Sequence, residues 1–594
     1  MGNRKQRIEA LRDQMRRENV DACIVPSTDT HLSEYPSGRW KTREWLSGFT
    51  GSAGTLVVTQ NRAVLWTDSR YFLQAEKELK DTGIYLFKSG LPCVPGYQEW
   101  VANELISGQM AGIECSVFSA EEALALGTGL SKKGILLKTD FAPYSEIWKN
   151  RPAAPRNPML VLNERFAGKS CREKISCTRE AIIANGAEMT IISVLDEVAW
   201  LFNIRGSDVR YNPVCAGYAA VSEHETIFFV NREKITEKSS EHFREQGVTV
   251  YDYDTVADYI KQRTGGKRLL IDPSHINYEL YSSIPEDCIK VEVAVSPVAG
   301  LKSIKNDTEI AGFRSAMQRD GVAMIRFLIY LETALAKDEP VTETMIASKL
   351  RKLRGYHKYY AGESFATIAG YGAHAAVVHY EADAESDAAV LREGMLLVDS
   401  GAHYLDGTTD VTRTISVGPV SDSMKRDFTL VLKGHIALAT ARFPAGTVGM
   451  QIDAFARQFL WQSGLNYLHG TGHGVGHFLP VHEGPQSIRT SYSPVALKPG
   501  MIISNEPGVY REGQYGIRIE NLLLTVYDTT NEFGEFYRFE TLTLCPIDRR
   551  LIDFPLLTNE EINWLNDYHT KVFESLSPSL SAKEREWLRK SLFD

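Results

Sequence analysis

Val398-Asp399-Ser400-Gly401-Ala402-His403-Tyr404-Leu405-Asp406-Gly407-Thr408-Thr409-Asp410-Val411-Thr412-Arg413-Thr414 sets the architecture of the carboxyl-terminal half of this chain. It continues the apolar run Met395-Leu396-Leu397, which reads as a buried strand, and Asp399 stands at its end. Asp406-Gly407 is a turn signal, so a hairpin here brings Asp399 and Asp410 side by side. Adjacent carboxylates repel and raise one another's pKa unless a cation lies between them. The threonines and Arg413 are of the type that orients such groups.

Three further donors follow downstream. His473 lies in His469-Gly470-Thr471-Gly472-His473-Gly474-Val475-Gly476-His477, too rich in glycine for a helix and suited to close backbone approach. Glu506 ends the strand-like run Met501-Ile502-Ile503-Ser504-Asn505 and is followed by Pro507, which halts it. Glu520 falls within an alternating strand, Gly516 to Leu522, where a carboxylate is expensive to bury without a metal or a partner. Arg518 shares its face two residues away and offers a simple ion pair. Taken singly, each residue has an ordinary reading as a turn, a loop contact or an ion pair.

The 594 residues exceed what one hydrophobic core organises, so two to four domains are expected. With 43% apolar and 24% charged residues the composition is that of a soluble globular protein. A formal charge of −9 leaves no basic surplus for phosphates, which argues against nucleic acid as a partner. The eight cysteines lack CxxC spacing and read as reduced thiols rather than a disulfide or zinc framework. Met1-Gly2-Asn3-Arg4-Lys5-Gln6-Arg7 runs into a charged amphipathic helix, with neither a secretory apolar region nor the Ser or Thr of a myristoylation pattern at Gln6. With no bilayer-length apolar run, the expectation is a cytoplasmic protein without a membrane partner.

Two breaks divide the chain. Arg151-Pro152-Ala153-Ala154-Pro155-Arg156-Asn157-Pro158 reads as a linker, and a second break is expected near Val295 to Gly300. A long helix is then predicted from Asn306, with Asn306 and Glu309 at capping-box spacing and Ile310, Phe313 and Met317 on one face. The first two segments share a faint repeat: Trp45-Leu46 then Gly51-Ser52, and Trp200-Leu201 then Gly206-Ser207. Apolar runs flank both copies (Ala22 to Val25 and Thr55 to Val58; Met189 to Val194 and Thr226 to Val230), which points to two related α/β domains. Strands are expected at Met395 to Val398, Met501 to Ser504 and Ile517 to Leu524, and a packing helix after Thr558.

"VDSGAHYLDGTTDVTRT", "HGTGHGVGHFLPVHEGP", "NEPGVY" and "GIRIEN" resemble the metal sites of the creatinase/prolidase-fold ("pita-bread") metallopeptidases. "HLSEYPSGRWKTREWLSGFTGSAGT", "LWTDSRYFLQA", "LDEVAWLFNIRGSDVRYNPV", "FETLTLCPID" and "WLNDYH" extend the likeness over nearly the whole chain, to the long, three-domain aminopeptidase P subfamily. The resemblance implies an α/β (α+β) fold in which creatinase-like domains at 1–155 and 156–300 precede a pita-bread catalytic domain at 301–594, with a carboxyl-terminal extension from about 535 to 594. It implies an Xaa-Pro aminopeptidase acting on peptides with proline second, through a hydroxide bridging two divalent ions.

Carried over, the five ligands are Asp399, Asp410, His473, Glu506 and Glu520, with Asp399 on one ion, His473 and Glu506 on the other, and Asp410 and Glu520 bridging. Four carboxylates and one imidazole suit hard Mn²⁺, although Zn²⁺ or Co²⁺ fits the same donors. Glu506 is the implied general base. His379, His469 and His482 are implied at the reacting carbonyl or the proline subsite, with Tyr380 and Phe478 as an apolar wall and Arg518 bracing the ligands. His477, His374 and His403 are expected to be structural or surface residues, and Trp461 resembles a dimer-contact tryptophan, implying a homodimer.

Prolidase shares the ligands but takes dipeptides, and methionine aminopeptidase lacks the two leading segments. Creatinase and non-catalytic relatives are disfavoured because all five ligands are kept. His482-Glu483 has no His at 486, so no HExxH zinc motif exists.

Overall fold

The apolar runs that flank the two Trp-Leu motifs become strands of two sheets with one topology. A computed structural model describes residues 2–594. Helix α1 (Gly2–Arg17) packs Leu11 and Met15 inward ahead of the first sheet. In that sheet β1 (Ala22–Val25), β2 (Thr55–Thr59) and β3 (Ala63–Thr67) form an antiparallel meander. β4 (Tyr85–Lys88) joins β3 in parallel, and β5 (Met110–Gly112) and β6 (Leu136–Lys138) extend the other edge in parallel. The second sheet, β7 (Met189–Ile192), β8 (Gly217–Ser222), β9 (Thr226–Val230), β10 (Thr249–Tyr251), β11 (Arg268–Ile271) and β12 (Ile289–Glu292), repeats this order and polarity. Trp45-Leu46 lies in α2 (Thr42–Ser47) and Trp200-Leu201 in α3 (Leu195–Leu201), each between the first two strands of its sheet. The short sequence repeat thus marks two copies of one α/β unit.

Residues 151–158 carry no regular structure. The break expected near 295–300 lies beside the division of the chain at Leu301/Lys302, but a helix, α4 (Pro297–Ser303), runs through it, since proline at a first helical position loses no hydrogen bond. Residues up to Val161 and Lys169–Leu301 form one compact unit, and Leu162–Gly168 with Lys302–Asp594 the other.

In the second unit, α5 (Asp307–Ala336) starts at the capping box of Asn306 and Glu309 and buries Phe313 and Met317. The strands β13 (Ile368–Tyr371), β14 (Met395–Ser400) and β17 (Val411–Ser416) make an antiparallel sheet with β14 in the middle. The hairpin of β15 (Ala402–Tyr404) and β16 (Gly407–Thr408) turns at Leu405-Asp406, one residue ahead of the Asp406-Gly407 signal because Gly407 already pairs with Tyr404, and returns the chain to β17. Helices α6 (Asp422–Ala439) and α7 (Gly449–Gln462) flank a six-stranded sheet. Its spatial order is β18 (Arg442–Pro444), β25 (Gly534–Thr541), β24 (Asn521–Asn531), β21 (Ile502–Asn505), β19 (Gly472–Gly474) and β20 (Glu483–Ile488).

The strand expected from Ile517 to Leu524 is two strands. β22 (Gly508–Arg511) pairs with β23 (Tyr515–Arg518), whereas β24 pairs with β21. The chain turns between β21 and β22 at Glu506-Pro507, so one straight strand cannot follow both partners. The break falls at Ile519-Glu520 and leaves Glu520 at a corner rather than mid-strand. Helix α8 (Asn559–Leu576) starts at the capping box of Thr558 and Glu561 and buries Leu565, Val572 and Leu576 in the main apolar cluster, followed by α9 (Ala582–Phe593). Among the described residues all eight cysteines are free, and no helix is long and apolar enough to cross a membrane.

Candidate metal centre

The site is assembled from strand ends. Asp399 lies in β14 opposite Thr412 of β17, and Asp410 immediately precedes β17, so the Asp-Gly hairpin brings the two aspartates to one edge. β19 delivers His473 between β20 and β21. That approach needs glycine: a Cβ on Gly472 would lie 2.0 Å from the Ser504 carbonyl oxygen. Glu506 leaves β21 with its N–H donating to the Thr471 carbonyl at 2.8 Å, and Glu520 enters from its corner with its N–H on the Thr412 carbonyl at 3.1 Å.

Asp410, His473 and Glu520 each offer a ligand atom, all within 4.8 Å of one another. His473 Nε2 is 3.6 Å from Asp410 Oδ2 and 3.4 Å from Glu506 Oε1. Asp399 is held beside them by Arg518, whose Nη2 donates to Oδ2 at 2.6 Å. Thr412 Oγ1 donates to Glu520 Oε2 at 2.7 Å, and Ser504 Oγ to Glu506 Oε1 at 3.1 Å.

Three carboxylate oxygens are buried without a hydrogen-bond partner: Asp399 Oδ1, Asp410 Oδ1 and Glu520 Oε1. Leaving such atoms dry is costly. Burial, followed by the charges of Glu520, Asp399 and Glu506, pushes the Asp410 carboxyl well above its ordinary range. Glu520 is raised likewise by burial and then by Glu506 and Asp399. Orphaned carboxylate oxygens in a cluster that includes an imidazole fit divalent cations, which would satisfy the lone pairs and neutralise the charge.

The expected ion pair of Arg518 with Glu520 does not form as a hydrogen bond, since the guanidinium turns to Asp399. Its Nη1 donates to Tyr510 Oη at 2.8 Å, and that hydroxyl is 2.8 Å from His469 Nε2. Burial first lifts the Tyr510 hydroxyl to about 12, so it stays protonated in this chain of contacts. The His482 ring packs edge-on to His473 with centroids 4.4 Å apart and remains half-exposed. His379 lies in the turn after the 372–376 helix, half-buried. Strand β23 presses against that helix, for a Cβ on Gly516 would lie 1.7 Å from the Ala375 carbonyl oxygen.

Tyr380 and Phe478 do not make the expected apolar wall. Tyr380 is buried with Ile368, Ala375 and Leu397 and donates its hydroxyl to Glu343 at 2.8 Å. Phe478 is buried against Leu162, Phe166 and Ala167. His477 packs on Phe313, His403 on Phe478, and His374 lies 3.0 Å from Glu343.

The matches to known proteins follow the same division. Models described as the creatinase/prolidase N-terminal domain cover residues 7–147 and 150–309, metallopeptidase family M24 covers 311–526, and the C-terminal region of peptidase M24 covers 535–592. A probable Xaa-Pro aminopeptidase P of Coprinopsis cinerea is 43% identical, over 98% of this chain and 97% of its own. The chain belongs to the aminopeptidase P family of M24 metallopeptidases. Aminopeptidase P2 of Arabidopsis thaliana is 40% identical, over 96% of this chain and 85% of that one. A crystal structure of an X-prolyl aminopeptidase from Caenorhabditis elegans superposes with a TM-score of 0.93 at 36% identity, covering 96% and 95% of the two chains. That protein is described as a cytosolic enzyme with a di-nuclear active site. The expected fold, creatinase-like domains ahead of a pita-bread domain, is therefore correct.

Tyr510 went unnoticed as a site residue, whereas Thr412 is one of the threonines expected to orient the carboxylates. Tyr510 sits inside the quoted NEPGVY motif, but the turn at Glu506-Pro507 breaks the strand alternation that could have placed it near the cluster.

Proposed function

We propose that this chain is a dinuclear metal-dependent aminopeptidase that hydrolyses the N-terminal Xaa-Pro bond of peptides. The observation that carries the reading is the Asp410–His473–Glu520 cluster, whose two carboxylates, like that of Asp399, each keep a buried oxygen without a hydrogen-bond partner. In this reading Asp399, Asp410, His473, Glu506 and Glu520 hold two ions, and the hard donor set favours Mn²⁺ over Zn²⁺ or Co²⁺. When bound, the ions acidify a water and draw charge from the scissile carbonyl.

The chain's own groups do the rest. Glu506 is less enclosed than Asp410, its side chain 18% exposed against 5%, and it takes the proton of the attacking water. His482, half-exposed beside His473, offers a hydrogen bond to the oxygen on which charge develops. His469 acts through Tyr510 on Arg518, which holds Asp399 in place, and His379 is assigned to the substrate side on its sequence motif. An Xaa-Pro bond has no N–H, so a proline-selective subsite needs no acceptor there. Tyr380 and Phe478 are withdrawn into packing clusters, which leaves His379 and His482 as the residues this reading assigns to the ring.

The test is kcat/KM for Xaa-Pro-Yaa, Xaa-Ala-Yaa and free Xaa-Pro under one metal condition. The proline tripeptide is expected to be far the best. Equal rates for alanine and proline indicate a broad aminopeptidase, and preference for the dipeptide a prolidase.

A homodimer belongs to the same reading. Trp461 is 48% exposed on α7, so it is a surface aromatic rather than a core one, and its Nε1 donates to Asn466 Oδ1 at 3.0 Å. Light scattering at micromolar concentration is expected to give twice the chain mass, and a monomer mass overturns it. A cytoplasmic place of action accords with eight unpaired thiols.

A further inference from the structure

Arg413 follows Thr412 and is 2% exposed, and its hydrogen bonds go to neutral acceptors. Nε donates to the Pro546 carbonyl at 2.8 Å, and Nη1 to the carbonyls of Thr412 at 2.8 Å and Glu520 at 2.6 Å. Nη2 faces Asn521 Oδ1, the Cys545 carbonyl and Tyr568 Oη, each at 2.8 Å. One side of this cage is therefore main chain that carries the ligand Glu520. The other side is the segment Cys545-Pro546, and it is gripped from the carboxyl-terminal helices.

Tyr568 of α8 donates its hydroxyl to the Cys545 carbonyl at 2.8 Å and accepts from the Cys545 N–H at 3.3 Å. The next residue, His569, accepts the Ile547 N–H on Nε2 at 3.3 Å and donates Nδ1–H to the Leu592 carbonyl of α9 at 3.2 Å. Stacking on Trp564, with centroids 5.4 Å apart and planes 6° from parallel, fixes the Tyr568 ring. On the ligand side, the Thr412 carbonyl accepts from both Arg413 and the Glu520 N–H, while Thr412 Oγ1 holds Glu520 Oε2.

We propose that Tyr568, on a helix of the carboxyl-terminal extension, is a positioning residue for the metal centre: through Arg413 it fixes the main chain of Glu520 and the separation of Glu520 from Asp410. The guanidinium is planar and its donors are set in a rigid fork, so a gap at one corner is felt at the others. Removing the Tyr568 hydroxyl leaves the buried Cys545 N–H without its acceptor and takes one of the three acceptors around Nη2, so Cys545-Pro546 and the fork it holds relax away from Glu520. The extension thereby acts on the site from behind without touching substrate.

This inference rests on the metal reading above, and its test separates the two. Mn²⁺ is titrated into the whole chain and free Mn²⁺ is followed by electron paramagnetic resonance. Tyr568→Phe is expected to weaken binding by about 10- to 100-fold, the usual effect of losing an outer-shell partner, and to lower kcat more than it changes KM. Leu565→Ala, one turn earlier on α8, is the control: it is expected to lower the melting temperature at least as much and leave Mn²⁺ affinity within about twofold. In an Arg413→Met background, Tyr568→Phe is expected to add nothing. Should Tyr568→Phe not fold, Arg413→Lys, which keeps the charge but not the fork, carries the same expected loss. Unchanged Mn²⁺ affinity in the folded variant, or an equal loss in Leu565→Ala, overturns the proposal. A wild-type chain that binds no Mn²⁺ overturns the metal reading instead.

Discussion

Glu506→Gln is expected to lower kcat on an Xaa-Pro-Yaa peptide by about two to four powers of ten while the chain stays folded and keeps much of its metal. The amide is nearly isosteric, and its oxygen can still accept from Ser504 Oγ, as the carboxylate does at 3.1 Å. The main chain at this position is anchored independently by the Glu506 N–H on the Thr471 carbonyl. What the amide cannot do is take a proton near neutral pH. A loss confined to kcat, with metal content measured on the same sample, identifies the general base. Near-normal kcat with both ions bound would move that role to another group, such as His482, which packs on His473.

Chelation is expected to abolish turnover and to reverse the pH dependence of stability. Without metal, Asp410 and Glu520 have pKa values raised by burial and by neighbouring carboxylates. A raised carboxyl binds more protons folded than unfolded, so stability falls as pH climbs from the unfolded value, near 4, toward the folded one. The chelated chain is therefore expected to melt at a lower temperature at pH 7 than at pH 5. Bound cations take the place of those protons, and binding to the folded state alone adds about 2.7 kcal/mol at a hundredfold excess over Kd. The gap in melting temperature between loaded and chelated protein is expected to widen with pH. A gap that stays constant from pH 5 to 8 contradicts this account of the site.

The cluster residues were legible because most are announced locally. Asp399 and Asp410 are joined by a hairpin that the Asp406-Gly407 signal places to within one residue, His473 stands in a glycine run, and Glu506 is stopped by Pro507. What failed to read out depends on partners distant in the chain. The alternation through Gly516 to Leu522 looks like one strand, and only the separate partners of β23 and β24 break it at Glu520. Arg518 looked like a mate for Glu520, yet its acceptor Asp399 is 119 residues away. Tyr380 and Phe478 have the composition of a pocket wall, but Glu343 and the Leu162–Ala167 segment claim them, and nothing adjacent in sequence foretells that. Tyr568 meets Arg413 across 155 residues, so the helix signal that revealed α8 said nothing of its link to the ligands.

The most direct test of the central claim is to add Mn²⁺ back to the chelated chain while measuring bound ions and turnover of an Xaa-Pro-Yaa peptide on the same samples. The account predicts no turnover without metal and a rise that levels off at two ions per chain. Full turnover by rigorously metal-free protein, or binding of two ions with no turnover at all, would contradict it.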